Sequence, residues 1–256
     1  MRILGQPVSS IYIWAIALLS ALAVISSYTL HVFPIALIFA VAASGTIEIL
    51  IRKYYLKHPF KMPYSGLITG LIIGSVAPIN ASILLVVIAS LIAAVSKFFI
   101  QYRSTNIFNP ATLGLILALP LFGLGDEWWV ASNYNVYGIA VTLTPILIIL
   151  AYEARRLPTA LSFVAVSFML YLIMNASQLS TTSAVSIFFS INFFFAFVML
   201  VEPKTSPHNT YAQFAYGASL AILYLAFAYL RFSYPLLAVL LIGNFMYLLY
   251  RKYGKC

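Results

Sequence analysis

An all-α polytopic membrane protein is the fold class this sequence predicts, and three observations predict it. Apolar runs recur along the whole chain, charge is nearly absent within them, and the few cations collect in alternate loops. Of the 256 residues, 63% are hydrophobic and 7% charged, against about 25% charged in an ordinary soluble domain. A span needs about 20 mostly apolar residues. Ten runs qualify: roughly residues 11–28, 32–51, 65–78, 81–101, 109–123, 136–152, 158–174, 184–201, 211–230 and 233–250. Five spans followed by five in opposite orientation is the layout of inverted-repeat membrane proteins. The expected architecture is therefore a single membrane domain, 1–256, of about ten transmembrane helices in two inverted five-helix repeats, 1–123 and 136–256, with broken helices.

In chain order, Arg2 precedes the first apolar run without an Ala-x-Ala exit, so that run is expected to stay as a span. Glu48, in Ala43-Ser44-Gly45-Thr46-Ile47-Glu48, is a carboxylate inside the second span. It reads either as the partner of Arg52, one turn on, or as part of a proton or cation path. Pro63 and Pro78 bracket the short third run, and Thr69, Gly70 and Gly74 interrupt it. It reads as a re-entrant or broken helix. Lys97 sits one turn from the end of the fourth run and is expected to snorkel outward.

With the N-terminus inside, 13 of the 14 lysines and arginines lie in or beside the inner loops, and only Arg231 lies outside. That bias sets both termini in the cytoplasm. It also accounts for the net charge of +9 without a nucleic-acid partner. The longest outer loop holds Asp126, Glu127, Trp128 and Trp129, expected as an interfacial aromatic belt with its acids in water. Cys256 is the lone cysteine, which excludes an intrachain disulfide and a thiolate metal cluster. His31, His58 and His208 fit no metal-ligand spacing.

Two polar breaks stand out. The first is Arg103-Ser104-Thr105-Asn106-Ile107-Phe108-Asn109-Pro110 and the second is Glu202-Pro203-Lys204-Thr205-Ser206-Pro207-His208-Asn209. Proline stops helix in each, and backbone freed from a helix in hydrocarbon needs protein or ligand partners. The plain reading is a tight turn with Asn capping the next helix. The functional one is a site whose helix N-terminus faces an electron-rich oxygen.

Ser65-Gly66-Leu67-Ile68-Thr69-Gly70-Leu71, Pro78, Lys97, Asn106-Ile107-Phe108-Asn109-Pro110-Ala111 and Gly114 occur in the order and spacing of the NqrB/RnfD family. These are membrane subunits of sodium-pumping NADH:quinone reductase and of the Rnf ferredoxin:NAD complex. The string Val201-Glu202-Pro203-Lys204-Thr205-Ser206-Pro207, with Tyr216-Gly217 after it, is similar to that family's Ala-Thr-Asp-Pro-x-Thr-Ser-Pro motif. Asn244 resembles a recurrent asparagine of the last span. The resemblance covers residues 64–120 well and 190–250 fairly.

It implies ten spans in two inverted bundles, likened to urea and ammonium transporters, and membrane electron transfer through flavin beside other redox subunits. The family's riboflavin pocket carries over to Asn106, Asn109 and Glu202, with Lys204, Thr205, Thr69 and Lys97 as further candidates. The family also attaches FMN covalently at an Asp-x-x-Ser/Thr-Gly-Ala-Thr segment. Thr144, in Gly138-Ile139-Ala140-Val141-Thr142-Leu143-Thr144-Pro145, is the nearest positional match. The motif's Asp and Gly-Ala are missing, so no covalent FMN is expected, and the expected cofactor is a non-covalent riboflavin or FMN. The competing readings are a channel or secondary transporter for a cation or small polar solute, with Glu48, Thr69 and Glu202 on the path, and a structural subunit without cofactor.

Overall fold

The computed structural model describes residues 2–3, 6–57, 59, 61–131, 137–176 and 180–253. His58, Lys255 and Cys256 lie outside the described residues, as do the side chains of Arg2 and Thr142. The described chain is mostly helical and divides into two compact units, Met1–Val130 and Ala131–Cys256.

The first unit holds α1 (Val8–Leu30), α2 (Ile35–Leu50, ending in a π-helical turn Ile51–Tyr55), α3 (Tyr64–Val76), α4 (Ile83–Phe99) and α5 (Pro110–Ala118). A 3-10 turn, Leu119–Phe122, extends α5. α2 packs along α3 and α4, α4 along α5, and α1 along α3. Lipid tails are as apolar as leucine, so helices in a membrane associate through close backbone packing at small residues. Gly66, Gly70 and Gly74 give α3 such a seam, four residues apart. A Cβ at Gly70 would lie 2.5 Å from the Val41 Cα, and one at Gly74 2.5 Å from the Leu37 Cα. These glycines do not interrupt α3, which is one continuous helix. They let it press against α2.

α3 has 13 residues, a rise of about 20 Å against a hydrocarbon core about 30 Å thick. Its C-terminal carbonyls are buried and need donors. The segment 126–130 supplies them. Glu127 N and Trp128 N donate to Val76 O at 2.9 and 3.3 Å, and Trp129 Nε1 donates to Gly74 O at 2.7 Å. The Glu127 carboxylate accepts from Ile79 N at 2.6 Å, and Ser26 Oγ donates to Val130 O at 3.2 Å. The expected aromatic belt is therefore corrected. Trp128 and Trp129 are buried and complete the short helix. Burial raises the Asp126 carboxyl above its ordinary range, while a hydrogen bond from Trp128 opposes this.

The second unit holds α6 (Tyr137–Glu153), α7 (Leu157–Met174), α8 (Thr181–Ser190), α9 (Thr210–Tyr229) and α10 (Pro235–Tyr253). α9 packs mainly on α7 and also on α10. A Cβ at Gly217 would lie 2.2 Å from Thr159 O, so α7 and α9 meet at a glycine as α2 and α3 do. The expected continuous span at 184–201 is broken at residues 191–192. Asn192 Oδ1 accepts from Phe195 N at 2.8 Å and restarts the chain as a π-helical turn, Phe195–Met199. Phe188 packs edge-on against Phe193 at 5.3 Å across the break.

Among the described residues, five helices are long and apolar enough to cross a membrane: Tyr12–Leu30, Ile35–Tyr55, Leu157–Met174, Thr210–Tyr229 and Pro235–Tyr253. Tyr64–Val76, Ile83–Phe99 and Pro110–Phe122 are shorter apolar helices. Trp14, Val24, Leu121, Ile173 and Ile222 are exposed, as suits side chains that face lipid.

Candidate functional site

In the first unit, α2, α3 and α4 bring together Glu48, Thr69 and Lys97. Glu48 is 1% exposed and Lys97 7%. The Lys97 ammonium donates to Glu48 Oε2, so Lys97 does not snorkel outward. The nearest counter-charge lies inside the bundle, and pairing there removes the cost of an isolated buried ion. Arg52 Nη2 lies 2.6 Å from Glu48 Oε1, as one reading of Glu48 expects. The approach is off the hydrogen-bonding direction, and Oε1 has no hydrogen-bond donor. Ser44, Ser90, Gly66 and Thr69 complete the lining of a small cleft around the pair, with room for about one water. Thr69 Oγ1 donates to Ser65 O at 2.8 Å, and Ser44 Oγ is buried without a hydrogen-bond partner.

The first polar break is built, not slack. Two short strands, β1 (Gln101–Tyr102) and β2 (Thr105–Asn106), form a hairpin. Its central Arg103 and Ser104 have φ of 49° and 60°, as a two-residue hairpin turn matched to strand twist requires. Asn106 is buried. Asn109, also buried, caps α5 by accepting from Thr112 N at 3.1 Å.

The second break is clamped by a cation. Arg156 ends the turn before α7 and is 3% exposed. It is a buried clamp, not a surface charge of an inner loop. Its Nε donates to Ser206 Oγ at 3.0 Å and its Nη2 to Pro203 O at 3.3 Å. The same Nη2 lies 2.6 Å from His208 Nδ1, which must then accept. Partial burial, followed by the charges of Arg156 and Arg251, lowers the His208 pKa. Gln213 Nε2 donates to Arg155 O at 3.0 Å and His208 O at 3.1 Å, and Asn244 Nδ2 to Thr205 O at 3.2 Å. Within the loop, Thr205 Oγ1 donates to Glu202 Oε2 at 3.2 Å and Ser206 Oγ to Glu202 O at 2.7 Å. Asn209 caps α9, accepting from Tyr211 N at 2.9 Å. The result presents a half-buried Glu202 and an exposed Lys204 over buried Thr205.

The sequence-predicted residues thus fall into three places: Glu48, Thr69 and Lys97 around the cleft; Asn106 and Asn109 at the hairpin; Glu202, Lys204 and Thr205 in the clamped loop. Thr144 is half-buried on α6. A flavin ring needs acceptors for its N–H and donors for its carbonyls. The clamped loop offers both, a carboxylate and an ammonium two residues apart, so its donor set fits that group. The cleft around Glu48 is too small for a tricyclic ring. Sequence reasoning missed Arg156 and Gln213 as site-building residues. The arginine immediately before Leu157-Pro158 was a usable signal, because proline at the second helical position marks a helix start. The glycine triplet on α3 was another.

No protein-family model matches this chain, and no curated protein matches it.

Proposed function

We propose that this protein is a membrane electron-transfer subunit similar to NqrB and RnfD, that it binds a non-covalent flavin, and that it works within a multisubunit redox complex. The observation that carries the proposal is the clamped loop at 202–209. A plain turn between helices needs a cap, which Asn209 provides. It does not need a buried guanidinium, Gln213 and Asn244 holding the backbone behind it. Such support fixes Glu202 and Lys204 in place, and held polar groups are what a cofactor site requires. Glu202 would accept from a ring N–H and Lys204 would donate to a ring carbonyl. Flavin supplies the electron carriage when bound.

The proposed membrane setting is a plasma membrane crossed by ten spans, with both termini cytoplasmic and two inverted repeats. Its support is internal to each unit. Among the described residues each has five helices. In each, a polar loop follows the third helix and ends in a side-chain cap on the fourth, Ser82 before α4 and Asn209 before α9. On that alignment the partner of the 202–209 loop is 77–82, not the Asn-Pro break before α5.

Titration of the detergent-purified chain with riboflavin and FMN tests the proposal. Quenching of flavin fluorescence with saturable stoichiometry is expected, weakened in Glu202→Gln and Lys204→Met. Denatured protein should show no fluorescent band, since no covalent attachment is expected. Flavin fluorescence unaffected by the chain would defeat the proposal.

The buried Glu48 favours a second reading, an ion path for a cation or small polar solute through the first unit, because ionisable groups inside membrane helices mark such paths.

A further inference from the structure

Two cations share the Glu48 carboxylate, Lys97 at Oε2 and Arg52 beside Oε1. The cluster therefore has one negative and two positive formal charges. Among the described residues, the elements packed around it add no acid; the π-helical turn adds Lys53, over the Tyr54 ring at 5.2 Å, and the hairpin adds Arg103, over the Tyr102 ring at 5.3 Å. α3 contributes only Tyr64, whose ring stacks on Tyr12 at 6.4 Å, and α5 contributes no ionisable group. A metal cation entering the cleft would meet net positive charge and a carboxylate already paired. It would have to expel an ammonium and find a shell of oxygens, as hard cations require. Ser44, Thr69 and Ser90 supply the neutral side-chain oxygens of the cleft, and Thr69 and Ser90 already donate to Ser65 O and Ala40 O.

A proton meets neither obstacle. It can pass along the existing hydrogen bond: the Lys97 N–H bond breaks, an O–H bond forms at Glu48 Oε2, and ammonium plus carboxylate become amine plus carboxylic acid. No electrons leave the pair and its net charge stays zero. A second observation supplies the exit. Glu48 Oε1 and Ser44 Oγ are both buried without hydrogen-bond partners, and both line the cleft with room for about one water. A water there satisfies both and takes up or delivers the proton, with Arg52, one turn on and partly exposed, beside Oε1.

We propose that Glu48, Lys97 and Ser44 form a proton-exchange site that excludes metal cations. The proposal rests on the ion-path reading of Glu48 and not on the flavin reading.

The test uses the full chain in liposomes containing a pH-sensitive dye, with an imposed membrane potential, no redox donor, and either sodium or choline in the buffer. Proton entry above that of empty liposomes is expected, equal in sodium and choline, and falling to the empty-liposome level in Glu48→Gln and Lys97→Met. Entry that requires sodium, entry unchanged in the two variants, or no entry in the parent overturns the proposal. Where either charge variant fails to fold by circular dichroism, Ser44→Ala decides, since it keeps the ion pair. Slower entry at unchanged helicity supports the site, and an unchanged rate overturns it. Flavin binding by the same preparations is read separately, so loss of one property with retention of the other separates the two readings.

Discussion

Arg156 shows how one residue converts a proline-rich string into a fixed surface. Its guanidinium donates to Ser206 and to the Pro203 carbonyl while closing on His208. Hydrogen bonds to a charged group are worth about 1.5–3 kcal/mol each. Arg156→Met is expected to cost about 2–4 kcal/mol and to open residues 202–209 to protease, read by thermal unfolding and mapped cleavage. His208 adds a pH dependence. Its folded-state pKa lies below the ordinary 6.5, so the unfolded chain binds the extra proton. Stability is full above pH 6.5 and is lost as pH falls through the folded-state value. Thermal unfolding followed from about pH 8 to about pH 5 should show this decline, and His208→Gln should flatten it.

At the scale of elements, two devices recur. Helices approach at glycine, and polar loops end in an asparagine or serine cap. Gly70→Leu places side-chain atoms where the α2 backbone runs 2.5 Å from an added Cβ. It is expected to destabilise by more than the about 1–3 kcal/mol of ordinary overpacking, because backbone gives less than a side chain does. Asn209→Ala removes the α9 cap and should cost about 1 kcal/mol, measured by denaturation in detergent. Short α3 and the segment 126–130 form one element in practice. Trp129→Phe keeps an aromatic ring but removes the indole N–H that bonds Gly74 O and some buried volume, so it should loosen the end of α3 in hydrogen exchange while leaving helicity unchanged.

At the scale of the whole molecule, five helices long and apolar enough to cross a membrane and many exposed apolar side chains predict retention in the membrane pellet after an alkaline carbonate wash. The proposed orientation predicts more. In a Cys256→Ser background, a cysteine at position 53 should label from the cytoplasmic side and one at 231 from the opposite side, and equal labelling would overturn that topology.

Fold class was legible because a run of apolar residues states its preference for lipid one residue at a time. The asparagine caps and the Glu48–Arg52 pair were legible too, since each joins residues within one helical turn. Lys97 was not. Its partner lies 49 positions away, and an outward and an inward lysine read alike in one dimension. The same holds for Trp129 on Gly74 and Arg156 on Ser206. The sequence by itself determined where helices begin and where polar breaks fall, because those follow from local chemistry. Only the tertiary structure decided which buried charges pair, that the α3 glycines are a packing seam, and that the Glu-Pro-Lys-Thr-Ser-Pro string is a held surface. Each of those depends on which distant backbone happens to be within reach.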